Sequence, residues 1–348
     1  MLEIGPEHRV EYSEEILGPF FRYIQSADSF YMVGAASMGK TRLLDHLMKP
    51  EVQKYYLKDQ TDKYWLIRVD LNRMPVNEPS WSFYELLVSS ILLNLHEIED
   101  IRNIQVELIK FDSEIIQKRD PLIALRLFEY IVNKLCQNYD LRLTFLFDEF
   151  DETYKTLPRE IFLQLRAVSD ANKNRVSFVL FLRNLPEHLR SPNDNESFYE
   201  LLSRNPIGIG PFKEVDALKI LLQLEARKQH PISEDQRRII YRTSGGHPGL
   251  MQALLSILIE RPLAFQTLYM PDWPATFVQE PAVKEECRKI WEGLLEEERK
   301  RLPAFLTGEF RKGSQPIDKL IFAKRLLWVN GDDVVFFSPL FAQYVENP

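Results

Sequence analysis

The residues Gly34-Ala35-Ala36-Ser37-Met38-Gly39-Lys40-Thr41 fit the pattern G-x-x-x-x-G-K-[ST], and each type in it has a task in gripping a phosphate tail. Gly34 and Gly39 permit tight turns and let main-chain amides approach phosphate oxygens closely. A helix starting directly after them adds unsatisfied N–H groups and the positive end of its dipole. The Lys40 ammonium would reach the β- and γ-phosphates, and the Thr41 hydroxyl would sit on Mg²⁺. Ala35, Ala36, Ser37 and Met38 complete the cradle, with Arg42 next in the helix. The ligand this chemistry suits is ATP or ADP.

A second group of residues could supply the reaction. The run Leu143-Thr144-Phe145-Leu146-Phe147 ends in Asp148-Glu149, the Walker B pattern. Asp148 would hold Mg²⁺ through its water shell, and Glu149 would orient and deprotonate the attacking water. A further apolar run, Val176 to Leu182, ends in Arg183. If the two runs are neighbouring strands, Arg183 points at the γ-phosphate. The catalytic set is then Lys40, Glu149 and Arg183, and the metal set is Thr41 and Asp148. Arg166 is either a finger reaching a neighbouring subunit or a solvent-facing charge. Asp70 reads as a structural turn carboxylate, and Asp151 as favouring the start of the next helix.

Elements must hold these groups in place, and periodicity predicts them. Phe30-Tyr31-Met32-Val33 is a buried strand, and the leucines after Arg42 have helical spacing. Tyr12, Ile16, Leu17, Phe20, Phe21 and Ile24 predict an amphipathic helix. Trp65 to Asp70 reads as a second strand. After a loop marked by Pro75, Asn77 and Pro79, Ser82 with Glu85 makes a capping-box helix start. A long helical insertion follows to about Asp140. Pro206-Ile207-Gly208-Ile209 is a last short strand. Five strands interleaved with helices imply an α/β core over residues 1–211, a parallel five-stranded sheet with helices on both faces.

From residue 212 the pattern turns helical. Val215, Leu218, Leu221, Leu222 and Leu224 predict one face of a helix from Glu214 to about Gln229, and Ser233 with Gln236 caps the next. Gly245-Gly246-His247-Pro248 is a tight turn, with Pro248 suited to a first helical turn. These elements make an all-α lid, 212–261. Pro262, Pro271, Pro274 and Pro281 mark a linker, 262–281. Residues 282–348 hold helices around Ile290–Glu298 and Asp318–Leu327. Asn330-Gly331 between apolar runs then signals a hairpin. Helices followed by a hairpin suggest a winged-helix domain.

Composition narrows the classes. The chain has 348 residues, 45% hydrophobic and 27% charged, with a formal net charge of −7, so no global basic field recruits nucleic acid or an anionic membrane. Its 2 cysteines, Cys136 and Cys287, form no metal or redox motif. Glu3, Glu7 and Arg9 do not suit a signal peptide, and no apolar run reaches membrane-spanning length. A cytoplasmic protein without membrane contact is expected.

The order P-loop, Asp148-Glu149-Phe150-Asp151, strand-end Arg183, lid with Gly246-His247-Pro248 and winged helix resembles the STAND class of signal-transduction ATPases. It is similar also to their AAA+ relatives, the Orc/Cdc6-type initiators. The resemblance implies that Pro248 touches the adenine ring with His247 beside it, that Arg183 reads the γ-phosphate, and that the winged helix closes over ADP. Two departures stand out: no Val-Gly-Arg-type segment precedes the P-loop, and no effector or repeat sensor domain is present. The chain is then a stripped core, a fragment, or one component whose effector is a separate chain.

Two functions compete. One is a slowly hydrolysing ATP switch acting on a protein partner or separate effector, with nucleotide-dependent homo-oligomerisation. The other is a DNA-binding AAA+ ATPase of replication or transposition type. Arg299-Lys300-Arg301, Arg311-Lys312 and Lys324-Arg325 are local basic clusters, but the wing tip Asn330-Gly331-Asp332-Asp333 is acidic. An acidic tip repels DNA phosphate, which favours the switch and leaves DNA as the second reading.

Overall fold

The computed structural model describes residues 14–75, 79–95, 101–194, 196–202, 206–269, 273–309, 314–331 and 333–348. Tyr12, Asn77, Pro271, Arg311-Lys312 and Asp332 lie outside them. Strands β1 Phe30–Val33, β2 Tyr64–Asp70, β3 Arg142–Asp148, β4 Val176–Leu182 and β5 Ile207–Gly208 form one five-stranded parallel sheet, in the order β2-β3-β4-β1-β5. Asp70 pairs with Asp148 across β2 and β3, and Phe147 with Leu180 across β3 and β4. Every residue of β1 and β4 is buried, as is all of β3 after Arg142. Near-continuous apolar runs are what strands covered on both faces require. The carboxyl ends of such strands share one sheet edge, the edge where ligands bind in open α/β folds.

The chain divides into two compact units. One comprises residues 18–32 and 41–207. It contains most of α1 Glu14–Ser26 and α2 Lys40–Leu47, then α3 Pro50–Leu57, α4 Pro79–Leu93, α5 Ile101–Lys118 and α6 Pro121–Asn138. After β3 come α7 Asp151–Thr156 and α8 Arg159–Ala171, and after β4 the short α9 Pro186–Leu189 and α10 Glu196–Tyr199. Aromatic rings fix the end of β3: Phe147 stacks on Phe150 at 4.8 Å, and Phe150 meets Tyr154 edge-on at 5.8 Å. The predicted insertion is α5 and α6. The predicted capping box is not: α4 begins at Pro79, and Ser82 is buried inside it. An apolar helix that packs on its neighbours all round fixes its own start, whatever the local cap signal.

The other unit comprises residues 1–17, 33–40 and 208–348. Its helices are α11 Glu214–Lys228, α12 Glu234–Ser244, α13 Pro248–Glu260, α14 Pro262–Phe265, α15 Trp273–Phe277, α16 Pro281–Glu292, α17 Glu296–Arg301, α18 Pro303–Leu306, α19 Pro316–Ala323 and α20 Pro339–Glu346. Between the last two lies the antiparallel hairpin β6 Leu327–Asn330 and β7 Asp333–Phe336. The Ser233–Gln236 capping box forms as expected. On α11 the buried residues are Asp216, Ala217, Ile220, Leu221 and Glu225, while Val215 is exposed. The apolar stripe is rotated because Glu225 is buried against Arg237 of α12, at 2.6 and 2.7 Å. The proline-marked linker folds into α14, a 3₁₀ turn and α15, since proline suits a first helical turn. The helix expected over 290–298 breaks at Gly293 into α16 and α17. The expected strand 206–209 is shorter, and α20 was not foreseen.

Candidate functional site: a phosphate cradle and an acidic strand end

The cradle follows β1 directly. Its shape comes from two residues in the left-handed region, Ser37 at φ +55° and Gly39 at φ +82°. Gly34 admits no side chain, because a Cβ there would lie 2.8 Å from the Ile209 carbonyl oxygen. The Ile209 amide in turn donates to the Val33 carbonyl at 2.7 Å. Lys40 is buried, and its ammonium donates to the Gly34 and Ala35 carbonyls at 2.7 and 2.8 Å. The loop is thus wound around the cation that would meet the phosphates. Ala35 and Met38 are buried, Ala36 is half-buried and Ser37 is exposed.

The Gly245-Gly246-His247-Pro248 turn meets the cradle within the same unit. Gly246 has φ +79°, and a Cβ there would lie 2.2 Å from the Phe212 carbonyl oxygen, so only glycine fits. His247 is fully buried. Its Nδ1 accepts from the Leu250 amide at 3.2 Å and caps α13. That fixes the proton on Nε2, which faces the Ala36 carbonyl at 3.3 Å. Burial pushes the His247 pKa down to about 4, against the raising effects of Ala36 and Glu286. Both ring nitrogens therefore hold protein groups. Pro248 packs on Gly39, its Cγ 3.4 Å from where a Cβ would be. Ala36 also lies against Gly293, at 3.4 Å by the same measure.

The acidic strand end belongs to the other unit. Asp148 closes β3 and is buried; desolvation raises its pKa, partly offset by Arg68. Arg68 on β2 donates to Asp148 Oδ2 at 3.0 Å and to Asp45 Oδ1 at 2.6 Å. Asp148 Oδ1 is buried without a hydrogen-bond partner. Glu149 turns the chain with φ +49°, a strained setting for a non-glycine residue. Arg183 follows β4, beside β3 as predicted, and its Nη2 lies 3.7 Å from Glu149 Oε1. Both side chains are nearly half exposed.

Asp151 does more than open α7. Its carboxylate accepts from the Arg183 amide at 3.0 and 2.9 Å and from the Asn184 amide at 3.2 Å, fixing the end of β4. Arg166 is engaged within its own unit, with Asp170 at 2.9 Å and the Ser197 carbonyl at 2.8 Å. Sequence reading missed Arg68 and Asp45. The signal for Arg68 was a single cation inside the apolar run Trp65–Val69.

Among the described residues no cluster of three or more His, Cys, Asp or Glu could hold a metal ion. The residues present fit Mg²⁺ all the same: a bare buried oxygen on Asp148 and an exposed Thr41 at the start of α2. Mg²⁺ commonly takes one or two protein oxygens and fills its shell with water and substrate phosphates.

No family model matches the chain, and no curated protein matches it. Among solved structures it is similar to the Walker-type ATPase PABY2304 of Pyrococcus abyssi, at 14% identity and TM-score 0.54, over 96% of this chain and 95% of that one. It is similar also to the ORC2 protein of Aeropyrum pernix in ADPNP-ADP complexes, at 14% identity and TM-score 0.51, over 100% and 95%. The ADP form of ORC2 gives 15% identity and TM-score 0.51, over 99% and 95%. Identities this low speak for the fold alone: the chain has the P-loop fold that these structures share.

Proposed function

We propose that the chain binds and hydrolyses ATP as an AAA+-type ATPase associated with DNA, of the replication or transposition kind. The observation that carries the reading is the P-loop, wound on a buried Lys40, in a chain similar over its full length to a protein seen with ADPNP and ADP. The cradle amides and Lys40 would bind the phosphate tail. Bound Mg²⁺, held by Thr41 and Asp148, would supply charge neutralisation on the phosphate oxygens. Glu149 would take the proton of the attacking water, and Arg183 would steady the charge developing on the γ-phosphate. Pro248 would border the base. In the tail, helices α16 to α19 precede the hairpin and α20 follows it, an order a winged helix would accommodate. Asp333 sits at the hairpin tip, so a duplex would be gripped by the helices, where Lys300 and Lys289 are exposed and would have to exchange their ion pairs with Glu296 and Glu286 for phosphates.

The STAND switch remains a second reading on one observation: Gly293 of the C-terminal module lies against Ala36 of the P-loop. A module that covers the cradle would suit an ADP-held off state acting on a protein partner or on a second copy of the chain.

Phosphate release and duplex binding, measured together across a salt series, separate the two. The DNA-associated ATPase predicts turnover, and duplex affinity that falls linearly in log–log form as salt rises. Turnover with no duplex binding at low salt would return the assignment to the switch, and absence of both would remove the ATPase reading.

A further inference from the structure

Arg68 stands where no part of the proposed reaction calls for it. It interrupts the apolar run of β2, and its guanidinium forks between two carboxylates on different elements. One is Asp45 on α2, four residues after Thr41 and hence on the same helix face. The other is Asp148 at the end of β3. The chain Thr41, Asp45, Arg68, Asp148 therefore ties the helix that follows the P-loop to the Walker B strand. The fork is also one-sided. It takes Oδ2 of Asp148 and leaves Oδ1 buried and bare. A buried carboxylate oxygen without a partner is costly unless something polar arrives to use it.

We infer that Arg68 is the positioning residue of the metal arrangement: it sets the spacing of Thr41 from Asp148 and turns one Asp148 oxygen toward the hydration shell of a nucleotide-bound divalent cation. The inference rests on the nucleotide reading proposed above. Arg68 touches neither nucleotide nor metal, and acts only through the two carboxylates. The planar fork is essential, because an ammonium is a point charge that cannot hold both carboxylates in one geometry.

The test uses the full chain and a fluorescent ATP analogue, titrated with and without Mg²⁺. Mn²⁺ binding followed by electron paramagnetic resonance gives a second readout independent of turnover. In Arg68→Gln, nucleotide affinity without metal stays within about twofold of the unaltered chain. The Mg²⁺ concentration at half-saturation rises about tenfold or more, the range seen when partners of metal ligands are removed. Arg68→Lys shows the same rise. Asp45→Asn removes only the exposed anchor and gives a smaller rise in the same direction, which keeps the test open if Arg68→Gln does not fold. An unchanged or lower Mg²⁺ requirement in these variants overturns the inference, as does full rescue by Arg68→Lys, which would make the residue a plain counter-charge. If the unaltered chain binds no nucleotide, the proposed function falls and takes this inference with it. If it binds Mg²⁺-nucleotide and the variants do not shift, only the role of Arg68 falls.

Discussion

Glu149 sits in a left-handed turn between a buried strand and a short helix, with Arg183 3.7 Å from its carboxylate. A non-glycine residue keeps such a conformation, at a cost of order 1–3 kcal/mol, where its surroundings over-determine it, and such positions cluster at functional sites. Phe150 behind it is locked in the aromatic stack, and Asp151 is bound to two amides of the β4 end. The side chain is thereby aimed while staying accessible. Glu149→Gln keeps the shape and removes the proposed base. We expect turnover to fall by about 10² or more, the usual worth of a positioned general base, with nucleotide affinity within about twofold. Equal turnover in single-turnover assays would show that another group activates the water. At this scale the sequence was legible where backbone chemistry dictates residue type. Gly34 and Gly39 could be read because the loop after β1 needs a close backbone approach at one and a positive φ at the other. Arg68 could not, because its partners Asp45 and Asp148 come together only when β2 pairs with β3.

At the scale of elements, the Gly246-His247-Pro248 turn shows how a short signal is used. Gly246 supplies the positive φ, Pro248 opens α13, and His247 caps it while facing the Ala36 carbonyl. Acid acts on this turn with a definite sign. In the folded chain the His247 pKa lies near 4, below its ordinary 6.5, because burial disfavours the charged ring. Between those values the unfolded chain binds the extra proton, so stability present above pH 6.5 is lost as pH falls toward 4, up to roughly 3 kcal/mol. Protonation would also place an N–H on Nδ1 against the Leu250 amide. Denaturant unfolding from pH 7 to 4 should therefore lose stability more steeply in the unaltered chain than in His247→Asn, which can still cap α13. Parallel profiles would show that His247 does not titrate across this range. The strands were legible because both-face burial leaves continuous apolar runs. The start of α4, the stripe on α11 and the break at Gly293 were not, because tertiary packing decided each: Ser82 is buried, and Glu225 turns inward to Arg237.

For the molecule as a whole, the fold matches solved structures over nearly the full length of both chains while identity stays at 14%. The five-stranded sheet and the alternation of strands and helices were readable from sequence. The balance between a DNA-associated ATPase and a signalling switch was not, because both share the same core and differ in what the C-terminal module meets. No described helix is long and apolar enough to cross a membrane. Every functional reading here requires Lys40 to exchange its carbonyl partners for phosphate oxygens. The most direct test is calorimetric titration of Mg²⁺-ATP into the full chain and into Lys40→Ala. Charge-assisted hydrogen bonds are worth about 1.5–3 kcal/mol each. Saturable binding by the unaltered chain is therefore expected, with an affinity about a hundredfold weaker or worse in the variant. Equal affinities, or no binding by the unaltered chain, would contradict this expectation.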